Sequence, residues 1–303
     1  MAKDLIVGVV DHYDWDKIKY WANSIEQSGF DGYKALIVYN MNKDTADILT
    51  QKGFMLIGAS GFDQTTGFTY DVPGSIMVNR FIHIHHFLKM LDDPQMVDRV
   101  IITDVRDVVF QEDPTQWLNK YFAQGFDLIV GTENLTYANE PWGNNNLRKS
   151  FGEYFYDIKK DDPIFCAGVI AGDMESVKDF CLNLYLICQG LNPHVEGGGG
   201  PDQAAMNIML DMTVYKYSTL FAHPAHGWVL HAGTSMPAIE AGSGGIGEAY
   251  RQNPNMKVEF INDVQYSVKD SKIYINDDVV TVLHQWDRVP AWKQMIEVKY
   301  GTN

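Results

Sequence analysis

The sequence predicts an α/β protein with a mostly parallel central sheet, on three observations. The opening of the chain alternates short apolar runs with segments of helical period. The run Val100 to Ile102 stops abruptly on acidic residues, and two further runs, Asp127 to Val130 and Phe165 to Gly172, follow downstream. At 303 residues and 46% hydrophobic content the chain can bury one large core or two modest ones. Neither a linker nor an internal repeat divides it, so residues 1–303 read as a single domain.

Composition narrows the partners. A net charge of -15 steers nucleic acid and anionic membranes away. No apolar run reaches the roughly 18 residues that suggest a membrane span, and the opening MAKDLIVGVVDHYDWD turns acidic too soon for a signal peptide. Cys166, Cys181 and Cys188 are odd in number and lack metal-type spacing, which suggests free buried thiols in a reducing compartment, with the cytoplasm as the expected location.

Leu5 to Val10 reads as the first strand, running into Asp11, His12, Tyr13 and Asp14. Asp14 is placed to cap a helix in which Trp15, Ile18, Ala22 and Ile25 recur at helical spacing and which Gly29 closes. A second strand at Ala35 to Tyr39, a helix at Thr45 to Gln51 and a third strand at Phe54 to Ile57 complete the opening. VVDHYD stands where a dinucleotide fold would carry GxGxxG. Residues 58–74 read as a long loop, a length usually tied to function. Ser75 to Leu91 is a helix with Ile76, Phe81, Ile84, Leu88 and Leu91 near one face and Arg80 in its first turns. His83 and His86, one turn apart, could hold a metal, but no nearby carboxylate completes the set.

Pro114 to Phe122 reads as a helix, and the strand Asp127 to Val130 ends on Gly131, Thr132, Glu133 and Asn134. Residues 135–162, aromatic and Asn-rich, read as an irregular loop in which Trp142 could stack on a pyranose face. Met174 to Gln189 is a helix with an apolar stripe from Val177 to Cys188. Asn192 to Gly200 contains four consecutive glycines and reads as a hinge or lid, followed by a helix that Asp202 caps. Val214 to Tyr217 reads as a short strand, a Gly-rich loop runs through Gly247, and Lys257 to Val268 with Ile273 to His284 reads as a C-terminal β-hairpin.

The chemistry concentrates in Arg99 to Pro114, RVIITDVRDVVFQEDP. Asp104 and Asp107 lie where a buried strand ends, which in open parallel sheets is where ligand sites gather. Two carboxylates roughly 5 Å apart repel by about 3 kcal/mol at an effective dielectric near 20, and a divalent cation reverses that sign. A helix cap beside an Asp–Arg surface pair would give the same residues.

TDVRDVVFQEDP resembles the aspartate motif of nucleotide-sugar glycosyltransferases of the GT-A fold, usually written Asp-any-Asp; here the spacing is Asp104, Val105, Arg106, Asp107. The resemblance extends in family order over most of the chain. It takes in the turn after the first strand, the Arg80 helix, the small pair in FCAGVIAG, the DQ helix of the glycogenin-like transferases at Asp202, and a late histidine in VLHQ. It implies a GT-A fold with a C-terminal β-hairpin and a metal held by Asp104, Asp107 and His284, with Mn2+ favoured over Mg2+ by the imidazole. It further implies that Asp11 and Tyr13 bind base and ribose, that Arg80, Arg106 and Arg288 face the diphosphate, and that Ala167 and Gly168 let the backbone approach the donor sugar. The implied activity is sugar transfer from a nucleoside diphosphate sugar, by default a UDP-sugar, to a hydroxyl of a glycan or similar acceptor. Asp202 is the first and Glu133 the second candidate for a base. The rival classes are a nucleotidyltransferase or phosphohydrolase using the same aspartates, and a carbohydrate- or nucleotide-binding protein on a degenerate transferase scaffold.

Overall fold

The structure, a computed structural model, describes residues 2–70, 75–91, 96–195 and 199–302. It opens with β1 (Lys3–Val10), α1 (Trp15–Gln27), β2 (Tyr33–Val38), the two-residue β3 (Met41–Asn42), α2 (Lys43–Gln51) and β4 (Met55–Gly58). Asp14 caps α1 by accepting from the Lys17 N–H, and Asn42 caps α2 by accepting from Thr45. The expected loop 58–74 is partly structured. β5 (Gly61–Asp63) and β6 (Gly67–Thr69) form a hairpin that pairs with β3, and residues 71–74 lie outside the described residues. Next come α3 (Ile76–Met90), β7 (Val97–Thr103), β8 (Val108–Phe110) and α4 (Pro114–Phe122).

The second half contains β9 (Leu128–Thr136), α5 (Pro141–Lys159), β10 (Pro163–Asp173), α6 (Met174–Cys188), α7 (Asp202–Met209), α8 (Thr213–Lys216), β11 (Thr219–Ala222) and β12 (Val229–His231). It ends with α9 (Met236–Glu240), α10 (Gly244–Gln252), β13 (Tyr266–Lys269), β14 (Lys272–Ile275), β15 (Asp278–Val279), β16 (Val282–His284) and α11 (Pro290–Tyr300). Four sequence expectations are corrected here. Residues 135–162 are not an irregular loop, because Glu140 accepts from the Trp142 and Gly143 N–H groups, Pro141 takes the first turn, and α5 follows with a kink at Gly152 (φ 82°, ψ 177°). Val214 to Tyr217 is helical: Val214 and Tyr217 both face solvent, so no sheet face is available to reward alternation. The Gly-rich stretch holds α9 and α10, packed so closely that a Cβ on Gly247 would lie 2.6 Å from the Gly242 carbonyl carbon. Asp202 does not cap α7; Pro201 holds that position and the carboxylate turns to Arg80. Of the glycine run read as a lid, residues 196–198 lie outside the described residues.

The main sheet runs β11-β9-β10-β7-β1-β2-β4 and is parallel except for β10, which is antiparallel to both β7 and β9. Alternation along the strands divides the core between two faces. Leu5, Val7, Val100 and Ile102 pack with α3 and α6, while Ile6, Val10, Ile101 and Ile129 pack with α1 and α2. Each such side chain contributes roughly 1.5–3 kcal/mol of burial. The C-terminal hairpin of Lys257 to Val268 with Ile273 to His284 is shorter than expected: residues 257–265 carry no strand, and β13, β14 and β15 form a small meander with left-handed Asp270, Ser271, Asn276 and Asp277 at its two turns. β16 leaves that meander to pair antiparallel with β8 and parallel with β12. Among the described residues no helix is long and apolar enough to cross a membrane.

This order positions the site. From β1 the chain moves to β2 and β4 on one side, and β7 is added on the other, so a crevice opens at the carboxyl ends of β1 and β7.

Candidate metal and substrate site

Asp104 leaves the end of β7 at that crevice. Trp21 donates its indole N–H to Thr103 Oγ1 at 2.9 Å and the Asp104 N–H donates to the Gly168 carbonyl at 2.8 Å, which ties the strand end to α1 and β10. Three residues on, β8 pairs with β16 in a register that sets Val108 opposite His284, and the Gln285 N–H donates to the Asp107 carbonyl at 2.7 Å. His284 Nε2 consequently lies 3.6 Å from Asp104 Oδ2 and 3.9 Å from Asp107 Oδ1. Cis ligands of an octahedral ion with bonds near 2.1 Å are about 3.0 Å apart and trans ligands about 4.2 Å, so these donors fit Mn2+ or Mg2+ after small side-chain movements. The three ligand atoms all fall within 4.8 Å of one another.

Arg80 reaches the same place from α3. Its guanidinium is 2.5 Å from Asp104 Oδ1 and 2.7 Å from Asp202 Oδ2, bridging the strand end to the start of α7. A buried Asp–Arg pair is not by itself a site, since Arg99 also grips Asp4 bidentately at 2.8 and 3.0 Å, at the opposite edge of the same strands. What distinguishes Arg80 is a cavity of about 250 Å³ that it lines with Asp11, Tyr13, Asp104, Arg106 and Asp107. A second cavity, of about 430 Å³, shares Met77 with the first and is lined by Glu133, Glu140, Trp142, Gln203 and Arg288 among others.

Burial raises Asp104, yet Arg80 and His284 outweigh it and hold the carboxyl down to about 2. Asp107 shifts upward, through burial and then through Asp104. Burial lowers His284, but the two aspartates pull it above its ordinary value. Glu133 is pushed up to about 7, first by burial and then by Glu140. Asp202 also rises, by burial against the opposing pull of Arg80.

No family model and no curated protein matches this chain, so its own geometry carries the reading.

The structure brings most of the sequence-predicted residues into the two cavities. Asp11, Tyr13, Arg80, Arg106, Asp104 and Asp107 share the first, and Glu133 and Arg288 line the second. Arg106 is engaged by Asp107 at 2.8 Å and Asp287 at 3.2 Å. Ala167 and Gly168 line neither cavity: the Ala167 N–H donates to Gln203 at 3.3 Å, and Gly168 makes room for the His284 ring, from whose Cε1 a Cβ would lie only 2.4 Å away. His83 is taken up by the Tyr39 hydroxyl at 2.5 Å, and neither it nor His86 belongs to a potential ligand cluster among the described residues. Three residues escaped sequence reasoning. Gln203 donates to Glu133 at 3.0 Å, while His231 Nδ1 and Cys166 Sγ stand 2.9 and 3.6 Å from His284 Nδ1. A signal for His231 was present, since the tripeptide VLH occurs at both 229–231 and 282–284 and the two copies pair in register.

Backbone conformation marks the same places. His12, Asn134 and Gln285 adopt left-handed φ of 54°, 62° and 57°, each immediately after a site residue, Asp11, Glu133 and His284. Non-glycine residues rarely adopt this region, and it concentrates at ligand sites.

Proposed function

We propose that this protein is a metal-dependent glycosyltransferase of the GT-A fold that moves a sugar from a nucleoside diphosphate donor, a UDP-sugar favoured, to a hydroxyl of an acceptor such as a glycan. The observation that carries this reading is the convergence of Asp104, Asp107 and His284 beside a cavity at the sheet's switch point. Two carboxylates and an imidazole favour Mn2+ over Mg2+, and the bound ion supplies Lewis-acid stabilisation of the departing diphosphate. Arg80, fixed by two carboxylates, adds a preorganised positive charge on the same wall. Asp11 and Tyr13 offer a hydrogen-bonding group and a ring to the nucleoside. The neighbouring cavity, with the Trp142 ring, Gln203 and Glu133, suits a sugar and its acceptor. For an inverting reaction Glu133 is the group to take the acceptor proton: it faces the cavity and is poised near neutrality, whereas Asp202 is held by Arg80.

Calorimetric titration with UDP and with GDP, each with Mn2+ and with excess chelator, tests this. Mn2+-dependent binding of one nucleotide supports the proposal and selects the base; binding of neither under any condition overturns it. Asp104→Ala, Asp107→Ala and His284→Ala are each expected to weaken the Mn2+-dependent binding by more than about tenfold. Undiminished affinity in all three would remove the metal assignment. Turnover of nucleoside triphosphates without an acceptor would instead indicate nucleotidyltransferase or phosphohydrolase chemistry at the same aspartates.

A further inference from the structure

We propose that Cys166, His231 and His284 form a second metal site, selective for thiophilic ions such as Zn2+ or Co2+, on the inner side of the His284 ring, and that filling it opposes filling of the aspartate site. His284 presents its two nitrogens to two different ligand sets. Nε2 faces the carboxylates of Asp104 and Asp107. Nδ1 faces His231 Nδ1 at 2.9 Å and Cys166 Sγ at 3.6 Å, and these three inner donor atoms also lie within 4.8 Å of one another. In a tetrahedral zinc site with Zn–N near 2.05 Å and Zn–S near 2.3 Å, two nitrogens stand about 3.3 Å apart and nitrogen and sulfur about 3.6 Å apart. The distance from Cys166 Sγ to His284 Nδ1 already matches, and the two rings need to separate by only about 0.4 Å.

The surroundings are built for these rings. β12 and β16 pair in parallel with His231 opposite His284, so both imidazoles project from one end of one small sheet. Gly131 and Gly168 give them space, since a Cβ at either would come within 3 Å of a ring nitrogen. All three donors are almost wholly buried, at 3%, 2% and 2% exposure. Glu133 interacts with the Cys166 thiol and lines the larger cavity, so that cavity gives a way in from solvent. One thiolate and two imidazoles are a soft set, distinct from the oxygen-rich outer set.

Binding releases the thiol proton to solvent, and the proton held between the two Nδ1 atoms shifts to Nε2 of the ring that carried it, so both imidazoles bind through Nδ1 as neutral rings. His284 then carries its proton on Nε2, facing Asp104 and Asp107 as a donor where the outer ion needs a lone pair. The antagonism rests on the function proposed above; the inner site does not.

The test begins with the reduced, metal-free full-length protein titrated with Co2+. We expect a thiolate-to-cobalt charge-transfer absorption that saturates at a single equivalent and is displaced by Zn2+. It should vanish in Cys166→Ala, weaken at least tenfold in affinity in His231→Gln, and persist in Asp104→Asn. A wild-type protein without the band, or a Cys166→Ala protein that retains it, overturns the inner site; where Cys166→Ala does not fold, the His231→Gln affinity decides. The second arm measures Mn2+-dependent UDP binding with and without one equivalent of Zn2+. A loss of at least tenfold in wild type supports the antagonism, and equal binding overturns it. Absence of UDP binding alongside an intact cobalt band would count against the transferase reading while leaving the inner site standing.

Discussion

Glu133 couples the site to stability in a way that can be read from pH. Its carboxyl is raised from an ordinary 4.5 to about 7 by burial, so between those values the folded protein holds a proton that the unfolded chain has released. The stability this supplies is complete below about pH 4.5 and is lost as pH rises through 7, up to roughly 3 kcal/mol in total. Glu133→Gln is therefore expected to melt like wild type at pH 5 and to be the more stable protein at pH 8, a contrast that denaturation at the two pH values measures directly. A constant difference across pH would mean that the carboxyl is not buried in ionisable form. Arg80 presents the opposite case, a buried cation held by two carboxylates. Arg80→Ala leaves Asp202 buried without its partner and should cost about 3 kcal/mol in urea unfolding. It should also weaken UDP binding more than uridine binding; equal loss of both would leave Arg80 a structural role alone. At this scale Asp104 and Asp107 were legible because charged groups at a strand end stand out against an apolar run, whereas His284 was reached only through the family resemblance. The repeated VLH tripeptide was the one trace of His231, but its meeting with Cys166 and His284 is set by strand register, which no local pattern encodes.

The elements most legible from sequence were those whose ends carry their own chemistry. α1 begins at a capping Asp14, and α4 begins at Pro114 behind Asp113, which accepts from the Thr115 N–H. α5 was missed because Asn, Gly and aromatic residues are weak helix formers; its stability comes from the Glu140 cap and from burial of Leu147 and Tyr156, contacts that exist only in the fold. The joint between β10 and β16 can be tested on its own. Gly168→Ala places a methyl 2.4 Å from His284 Cε1 and 2.8 Å from Nε2, so the ring must move away. We expect a stability loss of about 1–3 kcal/mol and a larger proportional loss of Mn2+-dependent nucleotide binding than of metal-free nucleoside binding. If nucleotide binding survives at wild-type strength with the alanine in place, Gly168 does not set the position of His284.

Over the whole molecule the decisive quantity is charge. A net charge of -15 repels an approaching nucleoside diphosphate, even though the cavity itself is furnished with Arg80 and Arg106. The repulsion is long-ranged and is screened by salt. The Debye length falls from about 30 Å at 0.01 M to about 8 Å at 0.15 M ionic strength. The contacts of buried Arg80 are screened far less, because they act over bond distances inside the protein. Raising salt within this range should therefore accelerate association of UDP with the chelator-treated protein several-fold while changing its dissociation rate little, which stopped-flow binding resolves. A pre-formed Mn2+–UDP complex carries less negative charge and should show a shallower dependence. A protein that recruits its anionic ligand through a basic surface behaves in the opposite sense, losing association rate as salt rises. Observation of that behaviour here would mean that the ligand is drawn in by a local positive field strong enough to override the net charge. The cavity's arginines, paired as they are with Asp104, Asp107, Asp202 and Asp287, do not supply such a field.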